Sequence, residues 1–210
     1  MFYPIFLELQ NRAVLVVGGG QVAERKVEAL LDAGAKVTLV SPDVTPRLLE
    51  LGNSGRLDIH QRRFKPSDME GATLAISATD DVVTQEQVAG IAASRNILVN
   101  TVDTPELCDF IIPSIVRRGE ITVAISTSGK SPALASELRK RFDRVLTDSM
   151  ARTANVLGAI RDEVHQRFPD SEKRKQTFEM IIASGIVDWI SDCDDAAALS
   201  RVRQMIDGIS

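Results

Sequence analysis

Three groups of residues have types and spacings suited to chemistry. The first is Gly18-Gly19-Gly20-Gln21-Val22-Ala23, a G-x-G-x-x-A run. In such a run one glycine makes a tight turn, one lets the backbone approach a pyrophosphate, and the small last residue lets a helix pack on a strand. Backbone N–H groups at that helix start would hold the phosphate charge. Glycine triplets also occur in loops without a ligand, so the run gains its weight from lying between a strand and a helix. The second group, Ser77-Ala78-Thr79-Asp80-Asp81, combines small residues that admit a cofactor with acids suited to a helix N-terminus, and both roles are compatible. The third, Asn100-Thr101-Val102-Asp103-Thr104-Pro105, delivers Asp103 to a strand end. There a carboxylate is either a general base or an ordinary loop aspartate before a Thr-Pro turn.

These residues must be placed by the elements around them. Val14-Leu15-Val16-Val17 is a β-branched run ending in the glycines, and Val22, Ala23, Val27, Leu30 and Leu31 follow at helical spacing. Gly34 stands at a helix C-terminus and Lys36-Val37-Thr38-Leu39-Val40 forms the next strand, which makes a βαβ unit with parallel pairing. The alternation continues with a short helix near Leu48 to Leu51, strands over 57–61, 74–76 and 97–102, and a helix over 84–95. Residues 1–105 are therefore predicted to form a doubly wound α/β, Rossmann-type domain with a parallel sheet. Its site loops are 18–23, 41–43, 77–81 and 100–105, beyond the carboxyl ends of the strands.

The end of the second strand carries Ser41-Pro42-Asp43 where an NAD site has an acid for the adenine ribose. Asp43 either reaches the ribose or caps the next helix. No arginine directly follows Val40, which favours NAD over NADP, and Arg47 is the residue placed to reverse that preference. After residue 105 the pattern changes. Phe110 to Val116 and Ile121 to Ile125 flank Arg117-Arg118-Gly119-Glu120, a hairpin signal, and Ser131-Pro132 starts a helix. Residues 106–146 are predicted to be a small α+β segment for dimerisation and substrate, and 147–210 a helical domain with breaks near Pro169, Gly185 and Asp192. The apolar run 1–9 is interrupted by Glu8, lacks a basic start, and is predicted to be a first strand.

Composition narrows the function classes. A net charge of −4 disfavours nucleic acid as a partner. No run is long enough for a membrane span. Two distant cysteines, Cys108 and Cys193, fit a reducing cytoplasm. His60 and His165 are too isolated for a histidine-based metal site. The basic cluster Arg139-Lys140-Arg141, with Arg117, Arg118 and Lys130, is either a solvated face or a set of cations for an anionic substrate.

Five phrases carry a resemblance: Pro4-Ile5-Phe6, Val17 through Lys26, Ala78-Thr79-Asp80-Asp81, Asn100-Thr101-Val102-Asp103 and Phe110-Ile111-Ile112-Pro113-Ser114. In that order and spacing they resemble the precorrin-2 dehydrogenase family, which includes the dehydrogenase and ferrochelatase portion of siroheme synthase. Ser126-Thr127-Ser128-Gly129-Lys130-Ser131-Pro132-Ala133 is similar to the family's serine- and glycine-rich segment, although Lys130 stands where the family is often uncharged. The resemblance implies NAD-dependent oxidation of precorrin-2 to sirohydrochlorin, in some members with insertion of ferrous iron, and a homodimer. It implies Asp103 as the catalytic carboxylate. Gly18, Gly20, Gln21, Val22, Ala23, Pro42, Asp43, Thr79, Asp80 and Asn100 would lie around the cofactor, and Ser126, Thr127, Ser128, Lys130 and Arg117 around the anionic tetrapyrrole. The methyltransferase half of the multifunctional enzymes has no counterpart in the sequence. The competing expectation is a Rossmann module that senses NAD without turnover, which accounts for Gly18 to Ala23 but not for the Asp103 segment, the hairpin or residues 126–133.

Overall fold

The computed structural model describes residues 2–209. Contacts divide the chain into two units, Met1–Ile112 and Pro113–Ser210. In the first, β1 (Ala13–Val17), α1 (Gln21–Asp32), β2 (Lys36–Val40), α2 (Pro46–Asn53), β3 (Asp58–His60), β4 (Leu74–Ser77), α3 (Val82–Arg95) and β5 (Leu98–Thr101) follow in order. The strands form one parallel sheet in the order β3-β2-β1-β4-β5. The predicted α/β class and doubly wound sheet are observed.

Strand periodicity divides the core. Val14 and Val16 of β1 face one side, with Val37, Leu39, Leu74 and Ile76, and are covered by Ala23, Val27 and Leu30 of α1 and Leu48 and Leu51 of α2. Leu15 and Val17 face the other side, with Ala75 and Val99, under Val88 and Ala92 of α3. With both faces covered, each of these strands needs continuous apolar residues, and each large buried side chain contributes about 1.5–3 kcal/mol. α1 and α2 lie on one face of the sheet and α3 on the other. The order therefore switches between β1 and β4 and opens a crevice at their carboxyl ends.

The predicted strand over 1–9 is not formed in its described part, since residues 2–9 make no ladder. β1 already has β2 on one side and β4 on the other, so the segment that leads directly into it meets no free strand edge there, and the free edges, β3 and β5, lie at the two ends of the sheet. Leu9 packs on the core, whereas Tyr3 and Phe6 are exposed.

The second unit opens with β6 (Ser114–Arg118) and β7 (Ile121–Ile125), an antiparallel hairpin closed by Gly119 and Glu120. Gly119 has φ of 53°, as a two-residue loop of this kind requires. Arg117 and Arg118, predicted in the turn, are instead ladder residues opposite Thr122 and Ile121. The ladder extends past the β-branched Ile115-Val116 pair through both arginines, which leaves only Gly119 and Glu120 in the loop. Helices α4 (Pro132–Val145), α5 (Asp148–Ala159), α6 (Arg161–Arg167), α7 (Ser171–Ala183), α8 (Ile186–Trp189) and α9 (Asp195–Asp207) follow. Ser131 caps α4 by accepting from the Leu134 N–H at 3.2 Å. Asp170 caps α7, Gly185 takes the left-handed conformation before α8, and Asp194 caps α9, which gives each predicted break its physical cause. Val156, Ile160, Val164, Ile181, Ile190 and Val202 form the core of these helices.

Candidate functional site

The glycine turn is shaped by two neighbouring loops. Gly18 has φ of 114°, and a Cβ there would lie 2.2 Å from the carbonyl oxygen of Ala78. At Gly19 a Cβ would lie 2.1 Å from the carbonyl oxygen of Asp43. Gly20 differs, since its Cβ would meet nothing within 4 Å. It starts α1 and leaves the first-turn N–H groups without a side-chain cap. Gln21 is exposed beside it, Val22 half-buried, and Ala23 fully buried against the sheet. Gly19, absent from the predicted site set, is thus as constrained as Gly18. The motif names its first and third glycines, and only the approach of the β2–α2 loop shows why the second must also lack a side chain.

A cavity of about 340 Å³ opens at these strand ends, lined by Gly18, Ser41, Pro42, Arg63, Phe64, Thr79, Asp81, Val83 and Gln87 among others. That volume is at the lower end of ligand pockets, roughly 300–1,000 Å³. Gly18, Pro42 and Thr79 of the predicted set meet there. Arg63, Phe64, Val83 and Gln87 were not foreseen, and a basic-aromatic pair just beyond a strand end was the available signal.

The alternatives left open around β2 are resolved on one side. Thr45, not Asp43, caps α2, accepting from the Leu48 N–H at 3.3 Å while donating to Glu24 at 2.6 Å. The exposed Asp43 carboxylate is therefore not the helix cap. Arg47 donates to Glu28 at 3.0 Å and Glu50 at 3.1 Å, and these bonds raise its pKa further. The Arg63–Phe64 loop is anchored from below by Asp68, which accepts from both guanidinium nitrogens of Arg62 (2.8 and 2.7 Å) and from the Lys65 N–H at 2.8 Å. Arg62, then the Lys65 amide, hold the Asp68 carboxyl below its ordinary value. A depressed folded-state pKa adds stability that is present above the unfolded carboxylate value, about 3.9, and is lost as pH falls through the folded value. Asp68→Asn is accordingly expected to melt below the wild type at pH 7, with the gap closing below about pH 4. Thermal melts at the two pH values measure this.

Beyond β4, Asp81 caps α3, accepting from the Val83 N–H at 3.2 Å and the Thr84 hydroxyl at 2.6 Å. The Thr84 hydroxyl leads in holding its carboxyl low, and Arg63 adds charge. Asp80 is exposed in the same loop. Ser77 Oγ is buried at the β4 end without a hydrogen-bond partner among the described residues. Asn100 is buried, and its amide donates to the Phe110 carbonyl at 2.9 Å. Asp103 is exposed one strand further on and has φ of 59°, an uncommon conformation for a residue with a Cβ. The Val102 N–H donates to the Ser77 carbonyl at 2.9 Å, which fixes this turn to the end of β4. Cys108 braces it from beneath. The Thr101 N–H donates to its sulfur at 3.1 Å, and the thiol lies within reach of the carbonyls of Thr101 (3.1 Å) and Thr104 (3.4 Å). Burial pushes that thiol's pKa up.

Comparison with known proteins now bears on this crevice. A family model described as "Putative NAD(P)-binding" matches residues 5–114, more than half of the chain. The chain belongs to that family. A second model, "Sirohaem biosynthesis protein central", matches residues 118–144 of this NAD(P)-binding family member. Its relatives include siroheme synthase of Methylobacillus flagellatus, 40% identical over 98% of this chain and 44% of the relative. Siroheme synthase of Thioalkalivibrio sulfidiphilus is 41% identical over 99% of this chain and 43% of the relative. The chain thus spans less than half the length of these relatives. Its fold is that of a solved structure titled "SirC, precorrin-2 dehydrogenase", with a TM-score of 0.78 at 24% identity, covering 97% of this chain and 100% of that one.

The residues present fit the dinucleotide that an NAD(P)-binding family member holds. The space at Gly20 that a Cβ would enter, together with uncapped first-turn amides, suits a pyrophosphate. In the second unit, the remaining predicted residues cluster only in part. Thr127 is locked to Ser131, donating to its carbonyl at 3.1 Å and accepting from its N–H at 3.0 Å. Ser126 accepts from the Ser128 N–H at 3.0 Å, Ser128 has φ of 53°, and Lys130 is exposed in the same loop. Arg117 is held on the hairpin by Thr122 at 3.4 Å.

Proposed function

We propose that this chain is an NAD-dependent dehydrogenase that oxidises precorrin-2 to sirohydrochlorin for siroheme, in the reducing cytoplasm. The observation that carries the reading is the Asp103 turn, a strained, exposed carboxylate fixed at the strand end beside a dinucleotide crevice. A module that only senses a dinucleotide needs the glycine turn and has no use for such a carboxylate. The chain's likeness to siroheme synthases along nearly its whole length supports the pathway.

When bound, the dinucleotide supplies the hydride acceptor. Gly20 and the amides of Gln21 and Val22 bind its pyrophosphate, while Pro42, Asp43, Arg63 and Phe64 flank the adenosine half. Thr79, Asp80 and Asn100 shape the wall toward the ring. We favour NAD because Arg47 is committed to two carboxylates and Arg63 faces the charge of Asp81. Asp103 takes the proton that must leave as the substrate loses hydride, so both halves of the two-electron oxidation balance. Lys130, Arg117 and the hydroxyls of Ser126 and Ser128 bind the carboxylates of the tetrapyrrole, while Thr127, whose single hydroxyl proton goes to the Ser131 carbonyl, shapes the loop that presents them.

An anaerobic assay with enzymatically generated precorrin-2 and NAD tests the reading. NADH should appear in step with sirohydrochlorin, and a further arm with ferrous ion reads metal insertion above the uncatalysed rate. Dinucleotide binding without NADH formation would instead support the sensing module.

The reading includes a homodimer. Leu134, Phe142 and Val145 of α4 and Ile115 of β6 are exposed apolar side chains, and the hairpin's outer edges are unpaired among the described residues. Leu134→Glu with Phe142→Glu is expected to convert a particle of twice 22.9 kDa to one of 22.9 kDa in light scattering. A double variant that keeps the wild-type mass would remove α4 from the interface.

A further inference from the structure

Gln85 is out of pattern. The buried residues of α3 are Gln85, Val88 and Ala92, a spacing that calls for an apolar side chain at each position, yet the first is an amide. A buried amide costs stability unless its polar atoms are bonded. Here both ends are. Nε2 donates to the Thr79 carbonyl at 2.7 Å, and Oε1 accepts from the Thr104 hydroxyl at 3.0 Å. The orientation of the amide is forced, because a carbonyl at Thr79 accepts only from the NH₂ end, leaving the oxygen for Thr104.

The two partners occupy informative places. Thr79 lines the dinucleotide cavity. Thr104 follows Asp103 directly, in the turn whose left-handed residue is disfavoured by its own Cβ. A conformation of that kind persists only where its surroundings over-determine it. The Thr104 hydroxyl has one proton, and the nearer acceptor is Gln85 rather than the Val102 carbonyl at 3.4 Å.

We infer that Gln85 is a positioning residue that clamps the Asp103 turn to the wall of the dinucleotide crevice. Its catalytic consequence rests on the dehydrogenase reading above. Through this amide, the loop that meets the dinucleotide and the loop that carries the carboxylate are held in one register. Loss of the clamp leaves the dinucleotide's own contacts in place and frees the base from its angle.

The test uses Thr104→Val, which removes the hydroxyl at nearly constant volume, Thr104→Ser, which restores it, and Gln85→Leu. In the anaerobic assay, Thr104→Val and Gln85→Leu should lower kcat by about 10- to 100-fold while KM for NAD stays within about twofold. Thr104→Ser should recover most of the rate. Independently of turnover, hydrogen exchange over residues 101–107 should accelerate in Thr104→Val and Gln85→Leu and remain slow in Thr104→Ser. Should Gln85→Leu fail to fold, the threonine pair decides alone. Unchanged exchange and kcat in Thr104→Val would overturn the clamp. A wild type that forms no NADH fails the dehydrogenase reading instead, and the exchange data still decide whether Gln85 holds the turn.

Discussion

Asp103→Asn is expected to lower turnover by at least about 10²-fold while leaving dinucleotide affinity near that of the wild type. Asparagine is the informative replacement because of the backbone. Asp103 sits at φ of 59°, a region asparagine tolerates and alanine resists. Asp103→Ala therefore mixes loss of the carboxylate with relaxation of the turn, whereas Asp103→Asn removes only the proton acceptor. The cavity lining, which includes Gly18, Pro42 and Thr79, is untouched by either change, so binding should survive. Single-turnover rates together with fluorescence titration of NADH separate the two quantities. Wild-type rates in Asp103→Asn would remove this carboxylate from the mechanism.

The legible part of the fold was what local pattern determines. The central strands β1 and β4 announce themselves because strands of a parallel sheet covered on both faces need continuous apolar runs, whereas β2 and β5 carry polar residues in theirs and are read from their place in the alternation of strands and helices. Ser131, Gly34 and Gly185 likewise mark element ends through their own conformational chemistry. What failed depends on distant neighbours. Residues 2–9 look like a strand, but whether an apolar run pairs depends on vacancies in the sheet, and β1 has none. The cap of α2 went to Thr45 rather than Asp43, because both residue types suit a helix N-terminus and the local pattern fits either start.

The candidate site shows the same division. Gly18, Pro42 and Thr79 were found because they belong to loops whose position follows from strand order alone. Arg63 and Phe64 were missed because β3 is only three residues long and gives a weak signal for the loop beyond it. Gln85 was missed for the opposite reason. In a helical sequence a glutamine is unremarked, and only its burial beside Val88 and Ala92 makes it conspicuous.

Gly19 and Gly20 should separate by phenotype. Gly20→Asp is expected to abolish NAD binding, a loss of at least about 10²-fold in affinity, with a melting temperature at or above that of the wild type. Gly20 has φ of −81° and open space at its Cβ position, so the backbone accepts a side chain. Aspartate is moreover a favourable N-cap, and its carboxylate would accept from the same first-turn amides that a pyrophosphate needs, while repelling the phosphate charge. Gly19→Ala is the converse case. Its methyl would be driven to 2.1 Å from the Asp43 carbonyl oxygen, and relieving that contact shifts the β2–α2 loop, with overpacking of this kind costing about 1–3 kcal/mol. Gly19→Ala should therefore melt early, and Gly20→Asp should fold well and bind nothing. Calorimetric titration of NAD against both, beside their thermal melts, makes the comparison. Undiminished NAD binding by Gly20→Asp would show that the pyrophosphate does not lie on the α1 N-terminus.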